Sequence, residues 1–489
     1  MTNSSQPGAP LHVLIIGAGF GGLGLAIQLQ KAGIQDFLIL EKGSEVGGTW
    51  RDNSYPGAAC DVPSHLYSFS FEPKTDWSRK YAPQPEIFAY QRHCADKYGL
   101  HRHIRFGCEV AGAEFDEASG TWQVQTRTGE RFHARALVSA CGQLNRPAWP
   151  RIPGLDGFKG ELFHSARWNH GYPLEGKRVA VIGTGASAIQ FVPQIAPKVA
   201  QLTLFQRSAA YVIPKPDRAY QPWELALMRR LPGLQKVDRM LKYIQHESRV
   251  LAFSVFPSLM KLMQFRFRRH LARGITDPAL RQRLVPDYPL GCKRILISND
   301  FYPALARSNV EVVNTGIREV TERAVVTDDG QHHEVDAIIL GTGFTATDFL
   351  APMSIRGLGG RDLNQAWREG AEAYLGVSVS GFPNLFILYG PNTNLGHNSI
   401  IYMLESQFRY VLDGIRALSG LRYLDLKPEV QRHFNLRLQQ DVRHTIWEQG
   451  CNSWYKTADG RNTNNWPGFT FSYRQQTRRL ELNHYECTC

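Results

Sequence analysis

Leu11-His-Val-Leu-Ile-Ile16, followed at once by Gly17-Ala-Gly19-Phe20-Gly-Gly22 and then by Leu23 to Lys31, is the stretch that decides the fold of this chain. A short apolar run of strand type leads into a glycine turn and then into a helical pattern, which is the opening of a dinucleotide-binding βαβ unit. Gly17 permits the tight turn, Gly19 lets a pyrophosphate approach the backbone, and Gly22 allows close packing of helix on strand. The helix start offers unpaired N–H groups to phosphates. A second strand, Phe37-Leu-Ile-Leu40, ends in Glu41, an acceptor for ribose hydroxyls.

The same unit returns 166 positions later. Val179-Ala-Val-Ile182 runs into Gly183-Thr184-Gly185-Ala-Ser187-Ala188, and its second strand, Leu202-Thr-Leu-Phe205, ends near Arg207 and Ser208. Two copies in register imply two dinucleotides and an α/β fold with two Rossmann-like domains. The acidic Glu41 suits a free ribose hydroxyl, whereas Arg207 suits a 2′-phosphate, so the second site is expected to prefer NADPH.

The 489 residues suggest two or three domains, and an apolar fraction of 43% leaves enough surface to bury. Met1 to Pro10 has no basic leader-like region, so a signal peptide is not expected and a cytoplasmic protein is. Eight cysteines without a C-x-x-C pair make neither a disulfide framework nor a zinc site, and no metal is expected. The missing C-x-x-C also argues against a flavoprotein disulfide reductase. A net charge of +12 favours anionic ligands, but no nucleic-acid motif accompanies it.

Further segments resemble the class B flavoprotein monooxygenases, and the resemblance covers nearly the whole chain. Gly47-Gly48-Thr49-Trp50 and Tyr55-Pro-Gly-Ala-Ala-Cys-Asp61, continuing to Ser64 and Tyr67, look like that family's flavin-contacting stretch. Phe158-Lys-Gly160-Glu-Leu-Phe-His164-Ser-Ala-Arg-Trp168 is similar to the Baeyer-Villiger fingerprint. That pattern continues with Pro or Asp; here Asn169 stands in its place. Trp168 favours this group over N- and S-oxidising relatives. Ala136 to Gly142 and Asp336 to Phe344 resemble the strands that cross between the two domains. The implied organisation is an FAD domain at 1–147 and 336–489, with an NADP domain at 148–335 inserted in it.

The resemblance implies FAD and NADPH as cofactors, and O2 with a ketone as small-molecule partners; the product is an ester or lactone, with sulfoxidation as a side activity. Flavin reduced by NADPH would form a C4a-peroxide that adds to the carbonyl. A fixed cation is the economical stabiliser of the resulting anions. The family places an arginine for this at Pro289-Leu-Gly-Cys-Lys293-Arg294, so Arg294 and Asp61, which would hold it, are the catalytic candidates. Expected cofactor-binding residues are Gly17, Gly19, Phe20, Gly22, Glu41, Lys42, Gly48, Thr49, Trp50, Asp61, Tyr67, Val110, Gly183, Thr184, Gly185, Ser187, Arg207, Ser208, Lys293, Arg294 and Asn394. Asn394 lies in the loop from Tyr389 to Asn398, which the family places close to the flavin. His164 is assigned to a hinge. The competing readings are an N- or S-oxidising flavin monooxygenase, and an FAD- and NADPH-binding oxidase or redox sensor.

Residues 221–280 have no counterpart in a minimal nucleotide-binding domain. Their apolar residues, Trp223, Leu227, Leu231, Leu234, Leu241 and Ile244, recur at helical spacing, so a helical insertion is expected over about 216–290. Residues 221–280 carry 11 Lys and Arg against 4 Asp and Glu. Capping of the NADP domain is the favoured reading; membrane contact by Val250 to Phe267, or their lining of the substrate entrance, is the less favoured one. Pro257, Lys261 and Arg266 argue against a spanning helix.

Overall fold

In the computed structural model, which describes residues 9–451 and 453–489, the opening stretch folds as its pattern requires. Residues 1–8, most of the segment read for a leader, lie outside the described residues. Strand β1 (Leu11–Ile16) runs into helix α1 (Phe20–Lys31), and β2 (Phe37–Leu40) returns parallel to β1, Val13 facing Phe37 and Ile16 facing Leu40. Gly17 has φ +102°, a region L side chains rarely enter. A Cβ at Gly22 would overlap the Gly17 carbonyl, so only glycine lets α1 close onto the turn. Helix α1 is apolar on nearly every side and accordingly buried, with Leu23, Leu25, Ala26, Ile27 and Leu29 inaccessible.

The first sheet adds β3 (Ile104–Arg105) beyond β2 and β6 (Arg131–Ser139) on the other side of β1. On its far side, the early part of β6 takes β5 (Thr121–Thr126) antiparallel, and its later part takes Leu385–Ile387 parallel. Strand β4 (Val110–Asp116) and then Ser354–Arg356 complete it. Chain from before and after the second nucleotide-binding unit therefore builds one sheet. Between α1 and β3 lie the short α2 (Thr49–Asp52) and α3 (Gln84–Lys97).

The second sheet is wholly parallel. Its order is Val310–Val313, β9 (Gln201–Phe205), β8 (Arg178–Ile182), Ala337–Leu340 and β7 (Glu161–His164). Helix α4 (Ala188–Ile195) follows β8 as α1 follows β1. The boundary expected at 335 falls short of this sheet, because Ala337–Leu340 pairs with both β7 and β8 before the chain returns to the first sheet. Inside the segment expected to be helical lie α5 (Pro222–Arg230), α6 (Pro232–Glu247) and α7 (Met260–Gly274). One pairing was not foreseen: Cys292 and Cys451 form a disulfide with Cα atoms 6.2 Å apart.

Candidate active site

The two glycine turns open onto a single cavity of about 1180 Å³, beyond the usual few hundred to a thousand for one small ligand. Gly17, Gly19, Glu41 and Lys42 line it from the first sheet, and Gly183, Thr184, Gly185, Ser187, Arg207 and Ser208 from the second. Phe20, Gly48, Thr49, Trp50, Asp61, Tyr67, Val110, Lys293, Arg294 and Asn394 also stand on its wall. Gly22 does not; it packs against Gly17 behind the turn.

Glu41 is buried and firmly held. Its carboxylate accepts from the backbone N–H of Ala18 at 2.8 Å and of Gly43 at 2.7 Å, and from Arg51 Nη1 at 2.9 Å. Arg51 was not singled out from the sequence, although it directly follows Gly-Gly-Thr-Trp50. At the start of α1 the backbone stays open, since Gly19 and Gly48 face each other with no side chain between them. Beside them Trp50 Nε1 donates to Tyr67 Oη at 3.1 Å, and Phe20 meets Tyr67 edge to face. These glycines and aromatic walls fit a flavin dinucleotide.

Across the cavity Lys293 Nζ donates to Ser208 Oγ at 3.2 Å and sits 4.2 Å from the centre of the Tyr288 ring. Partial burial, and next the charge of Arg207, lower the pKa of Lys293. Two cations and a hydroxyl converge here, as a 2′-phosphate requires.

Between the two turns, Arg294 holds Asp61 through Nε at 3.1 Å and Nη2 at 2.5 Å, both to the same carboxylate oxygen. Each side chain keeps about 30% of its surface open, at 29% and 31%, and that surface belongs to the cavity wall. Burial alone would raise the Asp61 carboxyl, but Arg294 outweighs it and holds the pKa below the ordinary value. Asp61 in turn raises the pKa of the guanidinium against the effect of burial. The pair is therefore charged at neutral pH, with guanidinium donors to spare. Tyr389 and Tyr455 are close enough to feel the Arg294 charge; burial raises both, Tyr455 to about 12, so both are neutral phenols. Tyr389 Oη donates to Asn394 Oδ1 at 2.7 Å, and Asn394 Nδ2 to Asn465 Oδ1 at 2.8 Å.

His164 stands at the end of β7 and does not line the cavity. Its Nδ1 accepts from Ala166 N at 3.1 Å, and burial lowers it to about 4, so it is neutral. Trp168 packs between Phe163 and Phe191, and Asn169 Nδ2 donates to Glu161 Oε1 at 2.7 Å. The residue that departs from the fingerprint thus ties its turn back to β7.

Residues 10–355 match the family model described as flavin-binding monooxygenase-like. The chain belongs to that family. A Baeyer-Villiger monooxygenase of Pseudomonas aeruginosa is 49% identical over 494 residues, covering 100% of this chain and 94% of the relative. Oxidised steroid monooxygenase bound to NADP superposes with TM-score 0.88 at 32% identity, covering 98% of this chain and 100% of the other. OTEMO in complex with FAD and NADP gives 0.88 at 28%, with the same coverage. The chain is a flavin-dependent monooxygenase of the Baeyer-Villiger type, with FAD and NADPH as cofactors.

Proposed function

We propose that this monooxygenase converts ketones to esters or lactones, and that Arg294, positioned by Asp61, stabilises the oxyanion that develops on the substrate carbonyl. Bound FAD, reduced by NADPH, supplies the activation of O2. The forked contact between Arg294 and Asp61 carries this reading, because it fixes a permanent cation where both dinucleotide turns open. A guanidinium fixed before reaction needs no reorganisation as charge develops. Neutral Tyr389 stands on the wall beside it, and neutral Tyr455 is buried behind that wall, so neither adds charge.

The first sheet, with 1–147 and the returning chain, holds FAD through its open turn and Glu41. Arg207, Ser208 and Lys293 hold the 2′-phosphate of NADPH on the second sheet. We assign the enzyme to the cytoplasm; among the described residues no helix is long and apolar enough to cross a membrane. Aerobic turnover with NADPH, a panel of ketones and 18O-labelled O2, followed by mass spectrometry, tests the reaction. Esters with one labelled oxygen are expected. NADPH consumption that yields only hydrogen peroxide, or only N- and S-oxides from amines and sulfides, would sink the proposal.

A further inference from the structure

Helix α6 is built inside out. Several of its polar residues face the protein, with Gln235 only 3% and His246 only 2% exposed. Gln235 Nε2 reaches His65 Nδ1 at 3.3 Å, Arg239 Nη1 donates to Ser68 O at 2.8 Å, and His246 Nδ1 lies 3.1 Å from His397 O. Its apolar residues face out: Leu241 is 59% and Ile244 54% exposed, three positions apart on one side of the helix. The same character continues along the chain, with Trp223 and Leu227 exposed on α5 and Leu262 and Phe265 on α7. A helix covering a water-facing surface has the opposite arrangement, and exposed apolar surface of this extent marks a contact site.

The exposed, unengaged charge of residues 221–280 has one sign. Arg229, Arg230, Lys236, Lys261, Arg266 and Arg269 are exposed, and the four acids of 221–280 are already engaged. Glu224 pairs with Arg218 and Asp238 with Lys242; Glu247 is buried on Asn398 and Thr470, and Asp277 accepts from the N–H groups that open the next helix. A second copy meeting this face symmetrically would set cations against cations. An anionic surface with an apolar interior meets both features at once.

We propose that α5, α6 and α7 dock this face on an anionic lipid bilayer, lying in the interface with the apolar side chains inserted and the cations at the headgroups. No helix crosses the bilayer, in agreement with the absence of a long apolar helix among the described residues.

Sedimentation of the holoenzyme with vesicles tests this, comparing phosphatidylglycerol mixed with phosphatidylethanolamine against phosphatidylcholine alone, at low and high salt. The enzyme should pellet with the anionic vesicles, remain largely in solution with phosphatidylcholine, and be only partly released by salt. The double variant Leu241→Glu/Phe265→Glu should bind about tenfold or more weakly while keeping its FAD, because both positions face solvent. Leu262→Gln is a gentler substitution that should move binding the same way. Wild-type holoenzyme that stays in the supernatant with anionic vesicles overturns the proposal without reference to any variant. So does a dimer in light scattering that Leu241→Glu dissolves, since a second copy would then own the face.

Discussion

The two nucleotide-binding turns share a backbone and differ in what stands at the end of the second strand. Gly17 and Gly183 have φ +102° and +104°, nearly one conformation. In the first unit, however, Glu41 is sealed by Ala18, Gly43 and Arg51, whereas Arg207 in the second is exposed beside Lys293 and Ser208. The helix entrances differ in the same sense: Gly22 presses on the Gly17 carbonyl, while Ala188 has room for its methyl against Gly341. A sealed acceptor suits a cofactor that stays, and open cations suit one that binds and leaves. Fold alone does not separate a resident from an exchanging dinucleotide; the side chains around the turn do.

The largest expected effect lies between the two turns. Arg294→Ala should retain FAD and still be reduced by NADPH, since it belongs to neither turn, yet lose about 100- to 1000-fold in ester formation. Oxidised NADPH should then appear as hydrogen peroxide. Asp61→Ala should act in the same direction more mildly, and product chromatography with stopped-flow absorbance reads both. Ester made at the wild-type rate by Arg294→Ala would remove the assignment. Next comes the sealed unit. Glu41→Ala leaves Arg51 and two backbone donors without their acceptor, and charge-assisted hydrogen bonds are worth roughly 1.5–3 kcal/mol each. FAD should be held about ten- to a hundredfold less tightly, visible as flavin lost on gel filtration, with the NADPH preference intact.

Both turns were readable because glycine spacing and the preceding apolar run are local features. The meeting of Asp61 with Arg294, 233 positions apart, was reached through family resemblance; no local pattern contains it. Other features escaped for definable reasons. Arg51 looks like any solvated arginine until β2 brings Glu41 to it. Ala337–Leu340 reads as an apolar strand, but which sheet accepts it is a long-range question. Helical spacing identified α6 without saying which way its apolar stripe points, since the period is the same facing in or out. The bond between Cys292 and Cys451 closes a separation of 159 residues that cysteine spacing does not reveal.

The open unit should respond more weakly than the sealed one, and selectively. Arg207→Ala should weaken NADPH by about tenfold or more and leave NADH nearly unchanged, since only the former carries the 2′-phosphate. Titration of both cofactors by flavin reduction rates measures this. Equal losses for the two would make Arg207 a structural residue and erase the contrast with Glu41.

The smallest effect is one of pH, and it isolates Lys293. Partial burial and the neighbouring Arg207 lower its pKa, so the free enzyme loses this ammonium charge at a lower pH than an ordinary lysine would. A bound 2′-phosphate favours the charged form, so binding and protonation are linked: NADPH affinity is full while Lys293 is protonated and declines as pH rises through its lowered value. Arg207 and Ser208 remain as partners for the phosphate, which limits the decline to about three- to fivefold. NADH makes no such contact, so its profile should remain flat over the same range. Lys293→Arg should flatten the NADPH profile too, because a guanidinium does not lose its proton there. Parallel profiles for NADPH and NADH in the wild-type enzyme would show that Lys293 does not face the phosphate, and would leave Arg207 alone to set the cofactor preference.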